Sequence, residues 1–474
     1  MVSDPQTLAP EAEMGRLRSI GLGLRESSAG IATAQTAIVV VGLCVTTLLV
    51  FLVLTAGRSD LTPLIVGPGL FLLSLPLLRR EAASSGDSRL YAILVIALAA
   101  KFVGALVRHF VGQTVYLGQS DSTGYFNEGV QLASQFRAGD FTTDLPSLTG
   151  TDFLRFLSGL VYTVIPPSLL TGFLVFAWLG FWGQVFFCRA YRIAVPEGRS
   201  RAYAYWVLFL PSLVYWPSSI GKEAWMMLAL GLAALGAAHV LSGRAGKGLI
   251  VAGLGMWLAA FVRPPLAGMV ALGLGVAVVL RPVNPSLRQI APIAKVLSLA
   301  TAAVLAVAFV GKAQEFLGAE SLASPAAITQ ELKDVSERAD KGGSKFTPSV
   351  VRSPTDLPTA TLTVLFRPLI TEAHNAQARA AAAESAVLLL VSIYRFPWIV
   401  AAIRSGRRQP YVIFALVYVA LFVVAFSAFP NFGLLARQRV QVLPLLLVLL
   451  TVPPRRRNER RNEPRNVLRE EVAV

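Results

Sequence analysis

The clearest structural signal in the chain is one long apolar run, residues 90–112, with the sequence LYAILVIALAAKFVGALVRHFVG. A helix needs about 20 mostly apolar residues to cross the hydrocarbon core of a bilayer, and this run is long enough. Similar runs recur along the 474 residues, of which 54% are hydrophobic and only 15% charged. The pattern excludes a soluble enzyme with one anchor, and its continuous apolar runs argue against an outer-membrane barrel, whose strands alternate. It predicts an all-α polytopic membrane protein.

The apolar runs predict about twelve transmembrane helices. The first follows a polar leader and is about 20 residues long, which favours a membrane span over a cleaved signal peptide. The predicted spans are 37–57, 62–78, 90–112, 168–188, 203–216, 223–241, 249–262, 265–280, 290–311, 384–403, 411–429 and 440–453.

The distribution of positive charge predicts the orientation of these spans. With both termini in the cytoplasm, 24 of the 43 Lys and Arg residues fall in short cytoplasmic segments, as expected for a multi-pass protein of the inner (plasma) membrane. The basic tail, residues 454–474, is typical of a segment that fixes topology by binding anionic lipid headgroups. It has no aromatic residue to stack nucleic-acid bases, so we expect no nucleic-acid partner. The resulting division is a cytoplasmic N-terminal tail (1–36), a transmembrane core (37–311) with an outer loop (113–167), an extracytoplasmic loop (312–383), C-terminal transmembrane helices (384–453) and a basic cytoplasmic tail (454–474).

Two outer loops stand out from this pattern. In loop 113–167, the spacing of Tyr125, Gly129 and Leu132 predicts an amphipathic helix. The apolar stretch from residue 153 to 165 is about 13 residues long, too short for a crossing, and predicts a second outer juxtamembrane helix. Loop 312–383 carries prolines at 348, 354 and 358, which predict irregular structure, and is interpreted as a lid or an acceptor-binding cover.

Asp121 is the strongest candidate for chemistry. It lies where the third span ends and the amphipathic helix begins, in the sequence GQSDSTGY of residues 118–125. One interpretation is structural: a carboxylate at a helix N-terminus satisfies free backbone amides and interacts favourably with the helix dipole. The other is functional: a catalytic base for an attacking hydroxyl, or a ligand for a divalent cation such as Mg or Mn.

A second group of charged residues is predicted at outer helix ends. Lys222 and Glu223 end the stretch PSLVYWPSSIGKE (residues 211–223), and Arg263 precedes two prolines between apolar runs. Instead of binding substrate, the first stretch could be part of an interfacial aromatic belt, with Lys222 and Glu223 capping a helix. Arg263 could instead extend its side chain to water. As a site residue, Arg263 would bind a phosphate with two hydrogen bonds.

Arginines late in the chain add to this set. Arg437 and Arg439 are predicted outside, where the positive-inside rule does not account for them, so they could bind a donor phosphate or outer lipid headgroups. Arg367 and Glu372, near the end of the long loop, offer hydrogen bonds to sugar hydroxyls, but ordinary helix capping uses the same residue types.

The layout of residues 90–280 resembles the C-type integral-membrane glycosyltransferase superfamily, which includes protein mannosyltransferases. The shared order is a span, Asp121 four residues before Tyr125 in an amphipathic helix, a second juxtamembrane helix and many further spans. The resemblance implies a membrane enzyme that moves a sugar from a polyprenyl-phosphate-linked donor to an extracytoplasmic glycan, lipid or protein acceptor. It also implies that Asp121 is the catalytic base or cation ligand and that Tyr125 lies at the substrate.

Two other functions fit the same charges. A polysaccharide polymerase or ligase of the cell envelope would share the outer arginines and the long loop but depend less on Asp121. A transporter of lipid-linked glycan would show inverted repeats with broken helices at mid-membrane, and we see no internal repeat. Loss of polymers with surviving single units would indicate the polymerase.

Overall fold

Only helices form regular structure in the part of the chain that the computed structural model describes. That part comprises residues 61–146, 148–282, 346, 348–404 and 409–452, with seven isolated helical positions: Gly42, Thr46, Val50, Ile293, Val296, Ala300 and Val304. Apart from those seven positions, the predicted spans 37–57 and 290–311 lie outside the described residues, as do both tails and residues 312–345 and 347 of loop 312–383.

The described helices follow the predicted order of apolar runs and outer segments. Two 3-10 turns, Pro354–Asp356 and Ile370–Glu372, flank the helix at the end of the long loop. The helices are α1 (Thr62–Ala83), α2 (Leu90–Thr114), α3 (Asp121–Arg137), α4 (Gly150–Val164), α5 (Leu169–Ala194), α6 (Ser200–Phe209), α7 (Pro211–Tyr215), α8 (Lys222–Leu241), α9 (Ala245–Ala260), α10 (Pro264–Leu280), α11 (Leu357–Phe366), α12 (Ala376–Arg404), α13 (Pro410–Phe426), α14 (Phe432–Arg439) and α15 (Leu443–Thr451).

Five of these helices, α1, α2, α5, α8 and α12, are long and apolar enough to span a membrane. The α14–α15 pair, bent by 62°, would be a sixth if it is one span, and α9, α10 and α13 are shorter apolar helices. These helices confirm the prediction of an all-α membrane protein. The number of twelve spans stays a prediction.

Several boundaries differ from the predicted ones, and proline explains two of the differences. The predicted span 203–216 is two helices, because Pro211 disfavours helical geometry at Leu210, whose ψ is 125°. Pro358 begins a helix instead of disrupting one, since proline is well suited to the first turn, where its missing N–H costs nothing. Helix α12 begins at Ala376, ahead of the predicted 384, and includes residues that were assigned to the long loop.

The chain divides into two compact units, described separately. The first contains residues up to Phe141, Ser158–Trp178 and Ser218–Ile220. Within it, α3 buries one face that includes Tyr125 and Leu132, as the spacing predicted. Gly129 of α3 lies against Ser158 and Gly159 of α4, so close that a methyl group there would lie 2.6 Å from the Ser158 Cβ.

The second unit contains Thr142–Leu157, Leu179–Pro217 and Gly221–Val474. Of the five span-length helices, α8 has the largest buried share. It packs on α9 through small residues: a methyl group on Gly236 would collide with the Ala252 backbone, and one on Gly255 with Ala233. Close packing of glycine and alanine is a common means by which helices associate in a membrane, because the hydrophobic effect does not drive two apolar helices together in lipid.

Candidate functional site

Three charged residues from different helices meet in the second unit. One carboxylate oxygen, Oε1 of Glu223, lies 2.9 Å from Nε of Arg437 and 3.2 Å from Nη2 of Arg263. Glu223 and Arg263 are buried, and Arg437 is partly exposed. We call these three residues the charge triad. It brings together three of the residues that the sequence nominated separately.

Helix ends position each member of the triad. Glu223 lies in the first turn of α8, and Arg263 occupies the position just before α10, where two prolines follow it. The Arg263 amide closes the end of α9 by donating to Ala259 O at 2.8 Å. Arg437 is in the last turn of α14, whose start is capped by the Asn431 side chain, an acceptor for the Leu434 amide at 3.1 Å.

The first turn of α4 is anchored to the segment that leads into Arg263. The Gly150 amide donates to Phe261 O at 2.6 Å, and the Phe153 ring stacks on Phe261 with centroids 4.8 Å apart. In the same helix, Asp152 forms an ion pair with Arg155 at 2.8 Å. Sequence reasoning did not nominate Asp152 or Arg155, because an acidic residue in a first turn carries no signal beyond helix capping.

Arg439 is a fully buried guanidinium that ties three segments together. Its Nη1 donates to Leu365 O at 2.9 Å, to Arg367 O at 3.1 Å and to Ser385 Oγ at 2.9 Å. These bonds join α14 to the end of α11 and to α12. The contacts give Arg439 a structural role in holding Arg367, while its predicted contact with a donor phosphate stays a prediction.

Arg367 and Glu372 form a partly exposed pair beside aromatic rings. Arg367 Nε donates to both carboxylate oxygens of Glu372, at 3.0 and 3.1 Å, and its Nη2 also contacts Oε1. The Arg367 guanidinium lies over Phe346 and Phe432, 4.6 and 4.8 Å from the ring centroids. Its hydrogen bonds hold the pKa of Glu372 below the ordinary value of 4.5, and an amide bond from Leu369 acts in the same direction.

A second buried carboxylate lies on α12 next to the α6–α7 break. Glu384 Oε2 accepts a hydrogen bond from the Ser212 amide at 2.7 Å. Ser212 follows Pro211 at the start of α7, so Glu384 satisfies an amide that the helix itself leaves open. No local pattern in the sequence indicated that these two residues would meet.

The remaining predicted residues are placed as follows. Asp121 is the first residue of α3 and is exposed, and Tyr125 is buried on the packed face of the same helix; both belong to the first unit. Lys222 begins α8, next to Glu223. Among the described residues, no three His, Cys, Asp or Glu side chains lie together as metal ligands would. The Mg or Mn ion therefore stays a prediction on Asp121 alone, and no step is derived through it.

The charge triad has the chemistry of an anion site. Two guanidinium groups, one buried and one partly exposed, face one buried carboxylate oxygen. Arginine binds phosphate and carboxylate oxygens with the same donor geometry, so an incoming phosphate oxygen could interact with the groups that Glu223 now holds. No family model, no curated protein and no solved structure matches the chain.

Proposed function

We propose that the protein is a membrane glycosyltransferase that moves a sugar from a polyprenyl-phosphate-linked donor to a glycan, lipid or protein acceptor. The charge triad is the observation that carries this proposal. Buried charge is costly in an apolar protein and usually marks a functional site. Here two arginines converge near one carboxylate, an arrangement suited to a phosphate that must stay attached to a lipid while its sugar leaves.

In the proposed reaction, an acceptor hydroxyl oxygen bonds to the anomeric carbon as the bond from that carbon to the phosphate oxygen breaks. Negative charge grows on the departing lipid phosphate, where Arg263 and Arg437 stabilise it. Glu223 keeps the two guanidinium groups oriented between turnovers. That Asp121, in the first unit, is the base for the hydroxyl proton stays a separate part of the proposal, implied by the resemblance and by its exposed carboxylate. A single displacement of this kind inverts the configuration at the anomeric carbon.

The finer topology belongs to the same proposal: twelve spans in the inner (plasma) membrane, both termini cytoplasmic and loop 312–383 extracytoplasmic. Contacts within the second unit support it, because helix ends predicted on one side meet one another. Glu223, Arg263 and Arg437, which meet one another, all lie at helix ends predicted outside. Arg281, whose Nη1 donates to Val240 O at 3.2 Å, and Val240 both lie at helix ends predicted in the cytoplasm.

The test is a lipid-linked glycan profile of a deletion strain complemented with single variants. We expect the deletion strain to accumulate an unused donor or an incomplete glycan, and the wild-type gene to restore the profile. The Arg437→Gln variant should not restore the profile, although the protein is still present in the membrane. Arg379→Gln, which removes an exposed arginine in α12, is the matched control and should restore the profile. Full restoration by Arg437→Gln contradicts the proposal.

The same profile separates the other functions. Loss of polymer with intact single repeat units would replace the proposal with a polymerase or ligase. Complete lipid-linked glycan retained on the cytoplasmic face would replace it with a transporter, which binds the same phosphate but breaks no glycosidic bond.

A further inference from the structure

We propose that Ser212, Glu384 and Arg439 form a subsite that hydrogen-bonds the hydroxyl groups of the donor sugar. We call these three residues the hydroxyl subsite. The inference rests on the proposed function, since it names the part of the lipid-linked donor that this region of the second unit would hold.

Ser212 contacts Glu384 directly, and Arg439 contacts the residue next to Glu384. The Ser212 amide donates to Glu384 Oε2 at 2.7 Å, and Ser385, the next residue on α12, accepts from Arg439 Nη1 at 2.9 Å. Glu384 and Arg439 are 8% and 1% exposed, and Ser212 is half-buried. The start of α7 and the end of α14 therefore both contact the same turn of α12.

Each member also carries a buried polar atom whose hydrogen bonding is incomplete. Within the described part of the chain, Glu384 Oε1, Ser212 Oγ and Arg439 Nε have no hydrogen-bond partner. This is unusual, because the large majority of buried polar side-chain atoms in proteins are paired. Leaving one buried polar atom unpaired costs the free energy of removing it from water, and the cost is larger if the atom is charged. Three such atoms in one region indicate that something else satisfies them.

The identities of these atoms indicate the chemistry of the missing partner. Glu384 Oε1 needs a donor, Arg439 Nε needs an acceptor, and Ser212 Oγ can act as either. A hydroxyl group donates and accepts at once, and a sugar presents several hydroxyl groups at adjacent carbons. A phosphate would suit Arg439 but would be repelled by Glu384, so the anion belongs at the charge triad and the neutral polyhydroxyl group belongs here.

Binding to the full-length protein in lipid nanodiscs tests this inference with two kinds of probe. Farnesyl phosphate carries only the lipid phosphate, whereas farnesyl-phosphoryl-glucose, -mannose and -arabinose add a sugar. We expect at least one sugar-bearing probe to bind about tenfold more tightly than farnesyl phosphate. Ser212→Ala and Glu384→Gln should each remove most of that difference and leave the farnesyl phosphate affinity within about twofold of wild type.

Two controls separate binding from folding. Ser212→Ala keeps the backbone amide that Glu384 accepts and deletes only an unpaired hydroxyl, so its thermal stability should equal or exceed that of wild type. Ser392→Ala deletes another hydroxyl on α12, one bonded to Leu388 O at 2.7 Å, and should leave both affinities unchanged.

The outcomes distinguish this inference from the proposed function. If farnesyl phosphate binds but no sugar adds affinity, or if the added affinity survives both substitutions, the three atoms hold water only and the hydroxyl subsite is wrong while the phosphate site stands. If neither kind of probe binds, the proposed function fails and the subsite fails with it.

Discussion

Arg437 Nε lies 2.9 Å from Glu223 Oε1, although the two residues are far apart in the sequence and belong to different helices. The side chain of Glu223 is only 3% exposed, so this contact and the one from Arg263 take place away from bulk water. A carboxylate in that position offsets the positive charge of a buried guanidinium, Arg263, and a partly exposed one, Arg437. The folded state and the proposed phosphate site therefore depend on the same carboxylate.

Glu223→Gln should destabilise the protein by about 3–5 kcal/mol, because it removes the buried carboxylate charge that the Arg263 and Arg437 guanidinium groups contact. Thermal unfolding of the purified protein in detergent would measure the loss. Glu197→Gln, at an exposed turn, is the control and should change little. In a double-mutant cycle, adding Arg437→Gln should cost much less than it does alone. Additive losses would mean that the two charges do not interact.

Glu372 should make stability depend on pH in acid. Its pKa is depressed by Arg367, so the pair contributes stability above the unfolded-state value near 4.5 and loses that contribution as pH falls through the lower folded-state pKa. Wild type should therefore exceed Glu372→Gln in unfolding temperature at neutral pH, and the difference should shrink below about pH 4. A difference that stays constant or grows in acid would contradict this assignment.

The α3–α4 contact gives a prediction with a control on the same helix. Gly129→Ala should lower the free energy of unfolding by about 1–3 kcal/mol, because its methyl group would lie 2.6 Å from the Ser158 Cβ and 3.0 Å from a backbone carbon. At Gly124 nothing lies within 4 Å of the added methyl group, so Gly124→Ala should stabilise the helix by up to about 1 kcal/mol. Equal effects of the two substitutions would exclude close packing as the cause.

Arg395 should resist conservative replacement. Its Nε donates to Leu450 O at 2.8 Å, near the end of α15, and its guanidinium lies over the Trp398 ring at 4.2 Å. Lysine cannot reproduce both the donor and the planar stacking group, so Arg395→Lys should cost about 1–3 kcal/mol in thermal unfolding. Arg404→Lys, at the exposed end of the same helix, should have no measurable effect.

The helices were predictable because their physics is local. The apolar run from Leu90 needs only its own residues to become a membrane-length helix, and the buried face of α3 follows from the spacing of Tyr125 and Leu132. The break at Leu210 carried an equally local signal in Pro211, but the apolar content on both sides outweighed it in the prediction.

The site was predictable only as a set of residue types. Glu223, Arg263 and Arg437 were each recognisable as charges at predicted outer helix ends, yet no local pattern specifies which of them meet, because that depends on how helices from separate parts of the chain pack. The bond from the Ser212 amide to Glu384 is of the same kind. Periodicity says which face a helix buries, and it does not name the partner.

Asp121→Asn separates the two interpretations of the first residue of α3. If the carboxylate only stabilises the helix N-terminus, the change should cost about 0.3–1 kcal/mol and leave sugar transfer intact, since a charge–dipole interaction at an exposed position is weak. If Asp121 is the base, the rate of transfer should fall by about 10²–10⁴-fold with the same small stability change, because a neutral amide cannot take a proton.

The rate of transfer from farnesyl-phosphoryl sugars, measured with purified protein, and thermal unfolding of the same protein test the two interpretations together. Glu128→Gln on the same helix controls for the loss of one negative charge. Full transfer by a folded Asp121→Asn protein would remove Asp121 from the mechanism and leave the phosphate proposal at the charge triad to stand alone.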